Sequence, residues 1–375
     1  MRIKRRRILS LLAVFIVIFF INLVLSKSSR EALKGDIVVW TEGTYYSYFT
    51  KVANEFEKKN KKVHISVINI SEEDYLDRII HSNYRDLPNI VQLNLEEINK
   101  VKDKIDFTEE NKDIIETYKK NFNKSRIKEV EINEDYYAVP FTSNPIALYL
   151  REDILKEYGY ESEDINTWKQ LINIGKEIET KTNGEIKIFS NKDKKNIALL
   201  ILSQLVDDET KEYSKEDIIS EFKNIYNEDY ITDSDNYLCR VASLDFYKEM
   251  VNDGTQYLWE CKNPPSFNIG ENRLFDLGGK NLVALKVEKN EEAIKEFIAF
   301  AATNKELLSE ELLEYNFFPS SLYSLKVKYN KESRINLEND EENNPFLILM
   351  NIVERVPSIT NYDKFKEIVF ELSDN

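Results

Sequence analysis

Residues 135–159 read DYYAVPFTSNPIALYLREDILKEYG. Tyr137, Val139 and Phe141 alternate with smaller neighbours, the period of a half-buried strand. Pro140 and Pro145 cannot donate to a sheet ladder, so the chain is expected to leave one sheet here. The apolar run 146–150 reads as a second strand and Arg151 onward as a helix. A proline-marked bend between two α/β-patterned stretches predicts a crossing from one globular half to another.

Upstream, residues 36–40 (DIVVW) form a buried-looking strand, followed by a Gly-containing turn. Tyr45, Tyr48, Phe49, Val52, Ala53 and Phe56 then fall on one helical stripe. Strand 63–70, helix 72–81 and strand 89–93 complete a β-α-β-α-β series, which predicts a parallel sheet with right-handed crossovers. Ligands of such sheets sit beyond the carboxyl ends of the strands, here around residues 40–43 and 92–94. Residues 100–126 read as charged surface helix, and Asn166-Thr167-Trp168 as a capped helix start with Trp168 in the core. Residues 197–206 read as helix, 213–231 as an acidic stretch of loose pattern, and 238–251 as a helix with Val241, Leu244, Tyr247 and Met250 inward. Residues 264–270 read as a loop, and Gly278-Gly279 as a tight turn opening strand 281–287. Helices at 291–302 and 306–313, a loop at 317–319, a charged segment at 328–344 and two terminal helices follow.

At the N-terminus, five basic residues within 2–7 precede an apolar run at 8–25 broken only by Ser10 and Asn22. Its length of about 18 residues suits a membrane span, and the flanking cations place the remainder of the chain outside. A cleaved signal peptide is the rival reading, with Ser26-Lys27-Ser28 a poor small-x-small site. We expect residues 1–7 in the cytoplasm, 8–26 as a transmembrane signal anchor and 27–35 as a tether.

The 375 residues carry 52 Lys+Arg against 67 Asp+Glu, a net charge of −15. An acidic surface repels phosphate backbones, so nucleic acid is not an expected partner. The two cysteines, Cys239 and Cys261, could pair in an oxidising compartment, although such sparse usage favours free thiols. Two isolated histidines leave no zinc pattern, and no serine elbow or reactive-cysteine motif points to an enzyme. Neither a cofactor nor a metal is expected.

Four pieces, in order, resemble the family 1 extracellular solute-binding proteins, the sugar-binding subunits of ABC importers. They are DIVVWTEG…FTKVANEFEKKN…VHISVIN; LPNIVQLN, with Asn89 where the family has Asp; YYAVPFTSNPIALYLREDILKEYG with INTWKQLINIGKEI; and GGKNLVALKVEKNEEAIKEFIAFAATNKE…FFPSS. The resemblance implies a two-lobe, periplasmic-binding-protein-like α/β fold with discontinuous lobes that close on a ligand. Residues 36–144 and 279–313 would build the first lobe, and 145–278 and 314–375 the second. It further implies a non-catalytic, membrane-tethered binder that delivers a small polar solute, a carbohydrate, to permease subunits. The chain departs from the family in lacking several tens of residues between Trp259 and Gly278, and in placing Leu150-Arg151 where Tyr-Asn is usual. A degenerate, anchored sensory or scaffolding protein without transport is therefore the alternative reading.

Aromatic faces stack on the C–H faces of sugars, while amides and carboxylates take the hydroxyls. By position, the candidate ligand-binding residues are Trp40 and Glu42 at the end of the first strand, Asn94 at the end of the third, and Tyr137, Thr142 and Asn144 at the crossing. Trp259 and Phe318 complete the set. Core packing for Trp40 and Trp259, a helix cap for Asn94, hinge structure for the crossing residues and loop packing for Phe318 are the competing roles.

Overall fold

The computed structural model describes residues 32–105, 107–207, 212–253, 257–285, 289–314, 316–326 and 344–373. The apolar run at 8–26 lies outside them, as does nearly all of the charged segment 328–344. Among the described residues no helix is long and apolar enough to cross a membrane.

The first half begins with β1 (Lys34–Glu42), α1 (Tyr45–Lys59), β2 (Lys62–Ile70), α2 (Glu72–His81) and β3 (Ile90–Leu93). As expected, β1 pairs parallel with both β2 and β3. The stripe of α1 buries Tyr48, Phe49, Val52, Ala53 and Phe56 against this sheet. Then come α3 (Leu95–Val101), α4 (Thr108–Tyr118), α5 (Lys124–Val130) and β4 (Val139–Pro140). The segment Asn281–Ala284 returns antiparallel between β3 and β4 and closes a five-stranded sheet. The strand expected through Tyr137–Phe141 is shorter, since only Val139 and Pro140 pair.

The crossing strand β5 (Thr142–Ser143) leads into the second half, which contains β6 (Pro145–Arg151), α6 (Glu152–Glu157), α7 (Trp168–Lys181), β7 (Lys187–Ser190), α8 (Lys194–Asp207) and α9 (Lys215–Ile225). These are followed by β8 (Ile231–Thr232), β9 (Tyr237–Ala242), α10 (Leu244–Asp253), β10 (Trp259–Lys262) and β11 (Phe275–Asp276). Its sheet runs β8-β7-β9-β6-β10, with β11 also on β6. All seven residues of β6 are buried, which explains its unbroken apolar run. Thr167 caps α7 in a reciprocal box with Gln170, and the Trp168 indole is buried with its N–H on Gln204, 2.8 Å away.

Two readings of this half are corrected. Residues 238–251 are not one helix: Tyr237–Ala242 is a fully buried strand flanked by β6 and β7, and the helix starts only at Leu244. A short apolar run has no periodicity to separate the two, and pairing on both edges decides for strand. The loose stretch 213–231 contains α9, opened by a Ser214/Asp217 capping box. Cys239 and Cys261 are free and buried. They lie on β9 and β10, on opposite sides of β6, so two strand spacings of about 4.8 Å each separate them, beyond disulfide reach.

The chain then returns through β12 (Asn281–Ala284), α11 (Glu291–Thr303) and α12 (Lys305–Leu313) to β13 (Phe318–Pro319), α13 (Pro345–Arg355) and α14 (Tyr362–Ser373). Helix α11 packs on the first sheet and α13 on the second. The peptide therefore passes between halves three times, and the passes are bonded together. Phe318 and Pro319, expected in a loop, pair as β13 with β5. Thr142 N–H donates to the Lys280 carbonyl at 2.9 Å and Ser320 N–H to the Phe141 carbonyl at 2.8 Å. Gly279 allows this closeness: a Cβ there would lie 2.2 Å from the Thr142 carbonyl oxygen.

Candidate functional site

A cavity of about 360 Å³ opens beside the three passes, walled by both halves. It lies beyond the carboxyl ends of β3 and β9, where Asn94 and Ser243 begin the next segments, the position expected for a ligand in open α/β sheets. From the first half come Tyr45, Asn94, Glu96, Glu129, Thr142 and Lys280. The second supplies Lys195, Asn196, Ser243 and Asp245, with Phe318, Tyr362 and Phe365 as apolar wall.

Four of the eight candidates share this cavity. Asn94 lines it while capping α3, its Oδ1 accepting from Glu97 N–H at 2.9 Å. Thr142 accepts from Lys280 N–H at 2.9 Å through its hydroxyl. Asn144 donates its backbone N–H to Asp276 at 2.8 Å. Phe318 stacks on Phe346 with centroids 5.4 Å apart. Glu42 takes part indirectly: its carboxylate lies 2.7 Å from the Lys280 ammonium.

Trp40, Tyr137 and Trp259 lie outside the lining. Trp40 is buried beneath the sheet with the Arg78 guanidinium 4.9 Å from its ring. Tyr137 packs half-buried in the same cluster. Trp259 pairs with Arg151 at the far end of the second sheet and meets Phe246 edge-on at 5.1 Å. Strand alternation explains the first case: Trp40 shares a face with Val38, opposite the Val39 side that α1 covers.

Behind the cavity sits a buried polar hub. Arg126, expected at the surface, is fully buried. Its guanidinium pairs with Glu129 three residues on, donates to Asn281 Oδ1 at 2.8 Å and reaches Ser320 Oγ at 3.3 Å. Glu129 also accepts from Asn281 Nδ2 at 3.0 Å. Asp276 joins the hub through Arg126, and burial pushes its carboxyl above the usual range. Burial alone would lower Lys280, but Glu97 and Glu42 beside it hold it above an ordinary lysine. Burial raises Glu42 in spite of that lysine. At the mouth, Lys195 of α8 and Glu96 of α3 meet at 2.9 Å and join the two halves.

Sequence reasoning missed Arg126, Glu129, Tyr45, Asn196, Ser243 and Lys280. Tyr45 was visible only as part of the α1 stripe. Ser243 was hidden because β9 and α10 read as one helix. Arg126 and Glu129 looked like any other charges in a charged stretch.

A family model described as bacterial extracellular solute-binding protein matches residues 40–307, most of the chain. The chain belongs to that family. Among solved structures, this solute-binding protein resembles the sugar-binding protein MalE of Xanthomonas citri, with TM-score 0.67, 16% identity and 90% of both chains covered. It also resembles an ABC substrate-binding protein of Listeria monocytogenes in complex with cycloalternan, with TM-score 0.62, 14% identity, and 91% of this chain and 97% of that one covered. At such identities the likeness establishes the two-lobe α/β fold. A lactose-binding protein of Rhizobium radiobacter is 24% identical over 194 residues, 47% of this chain. The match spans 43% of that relative's own length.

Proposed function

We propose that this solute-binding protein captures a carbohydrate in the cavity between its lobes and passes it to the permease of an ABC importer. The carrying observation is the cavity itself: Asn94, Asn144, Asn196 and Ser243 line it together with the aromatic residues Tyr45, Phe318, Tyr362 and Phe365. That combination suits a ligand with hydroxyls on its rim and C–H groups on its faces. Sugar-named relatives of the same fold support the reading. The closing units are residues 36–144 with 279–313, and 145–278 with 314–375. The basic segment and apolar run at 1–26 tether the lobes to the outer face of the membrane, which raises the local concentration of loaded binder near a permease.

Titration calorimetry of a soluble form spanning residues 32–375 against a panel of neutral mono- and oligosaccharides is the test. Saturable binding by at least one sugar, with contraction in X-ray scattering, is expected. Absence of heat with every member would overturn the reading. Copurification from membranes tests delivery: permease subunits are expected, and a sensor kinase in their place would refute transport.

A further inference from the structure

We infer that the cleft is charge-selective: it accepts an uncharged or amine-bearing sugar and rejects sugars carrying carboxylate, sulfate or phosphate. The inference rests on the reading of the cavity as a sugar site and adds the class of sugar. Among the described residues, every cation that lines the cavity or touches its lining already has a carboxylate against it. Lys280 lies 2.7 Å from Glu42 and 2.9 Å from Glu97, one ammonium between two acids. Lys195 is 2.9 Å from Glu96, and Lys248, which donates to the lining Asn316 carbonyl, is 3.2 Å from Asp245. Arg126 is held by Glu129 and faces Asp276. Lys366, over the ring of the lining Tyr362, is 3.0 Å from Asp363; five cations thus stand against seven carboxylates, and the surplus is negative.

The helix starts at the cavity do not reverse this. An exposed helix N-terminus favours anions, but two of the three here carry their own. Glu96 and Glu97 occupy the first turn of α3, and Asp245 that of α10. The start of α8 has no acid in its first turn, and Asp193 just before it is buried and paired with Arg240 at 2.9 Å. A ligand anion would therefore enter a cleft whose cations are already matched and whose excess charge is of its own sign. A hydroxyl suffers no such repulsion, and an ammonium is attracted.

The test is calorimetry at low ionic strength, about 20 mM, with three probe classes. These are neutral disaccharides such as lactose and maltose, the amine-bearing disaccharide of glucosamine, and the acid-bearing digalacturonate with a sulfated disaccharide. The tightest binder is expected among the first two classes, with every acidic probe weaker by about tenfold or more. The variants Asp245→Asn and Glu96→Gln should each raise the acid-to-neutral affinity ratio, and about 500 mM salt should narrow the gap. An acidic sugar bound as tightly as the best neutral one would overturn the inference and leave the sugar reading standing. Failure of all three classes would overturn both.

Discussion

Arg126 concentrates the energetics of the interior in one side chain. It is fully buried and shares its donors among Glu129, Asn281 and Ser320, residues from three separate parts of the chain. Removing one partner of such a pair leaves the other charge buried and uncompensated. Arg126→Met should therefore cost about 3–5 kcal/mol, read as a lower midpoint in urea with an unchanged slope. A loss under about 1 kcal/mol would show that Glu129 can do without its cation. The cysteines give a second outcome at this scale. Burial raises both thiols well above the usual range, and the protonated form is a poor nucleophile. A thiol-reactive dye should label neither in the native protein and both in denaturant; rapid native labelling would contradict their burial.

The free state of the two thiols was legible from sparse cysteine usage, but the hub could not be sorted from the sequence, because burial of a charge depends on which segments arrive from afar. Arg126 sits in SRIKEVE, where nothing local separates it from Lys124 or Lys128, which are exposed or half-exposed. Asn281 and Ser320, which satisfy it, lie far downstream. The pairing of β1 with its neighbours, by contrast, was legible because Ile37, Val39, Ile65 and Val67 announce their strands within a few residues. Of the site, the positions next to strand ends and prolines were readable: Asn94, Thr142 and Asn144 follow from topology alone. Aromatics chosen for their chemistry, Trp40 and Trp259, went instead to the interior and to the far end of the second sheet.

At the scale of elements, the informative pieces are the short ones. Segment Gly278-Gly279 precedes β12 and passes against Thr142 and Glu129 with no room for a side chain. Gly278 has φ +92°, and a Cβ there would also meet the Glu129 carboxylate at 2.7 Å. Gly279→Ala should cost about 1–3 kcal/mol by forcing the passes apart and should weaken sugar binding, since Thr142 and Lys280 line the cavity. Gly270→Ala makes a useful comparison, because it has φ +93° and open space around it. Its strain is local, so stability should fall while affinity holds; equal loss of affinity in both variants would argue against a special role for the packed turn. Helix α14 is the other element of note. It packs on α8 and also touches α3 and α5, and Lys366 donates to the Lys128 and Glu131 carbonyls at the end of α5. The charged segment before it gave no hint of that bridging position.

For the whole molecule, the contact that spans the mouth is Lys195 with Glu96. The lysine side chain is 67% exposed and the glutamate 27%, so solvent screening keeps the pair weak, about 1 kcal/mol or less. Lys195→Ala should increase the radius of gyration of the ligand-free protein slightly and weaken affinity by about fivefold at most. A hundredfold loss would mean the lysine touches the sugar itself. Under the proposed function, so weak a pair leaves closure to be driven mainly by the ligand in the cavity.

Three bonded passes have a consequence for how such a body moves. One flexible linker would let the lobes wobble in any direction, whereas a trio of adjoining leaves pins them like a door in its frame. If the proposed closure takes place, its swing should follow a single arc, with the rim kept to one side.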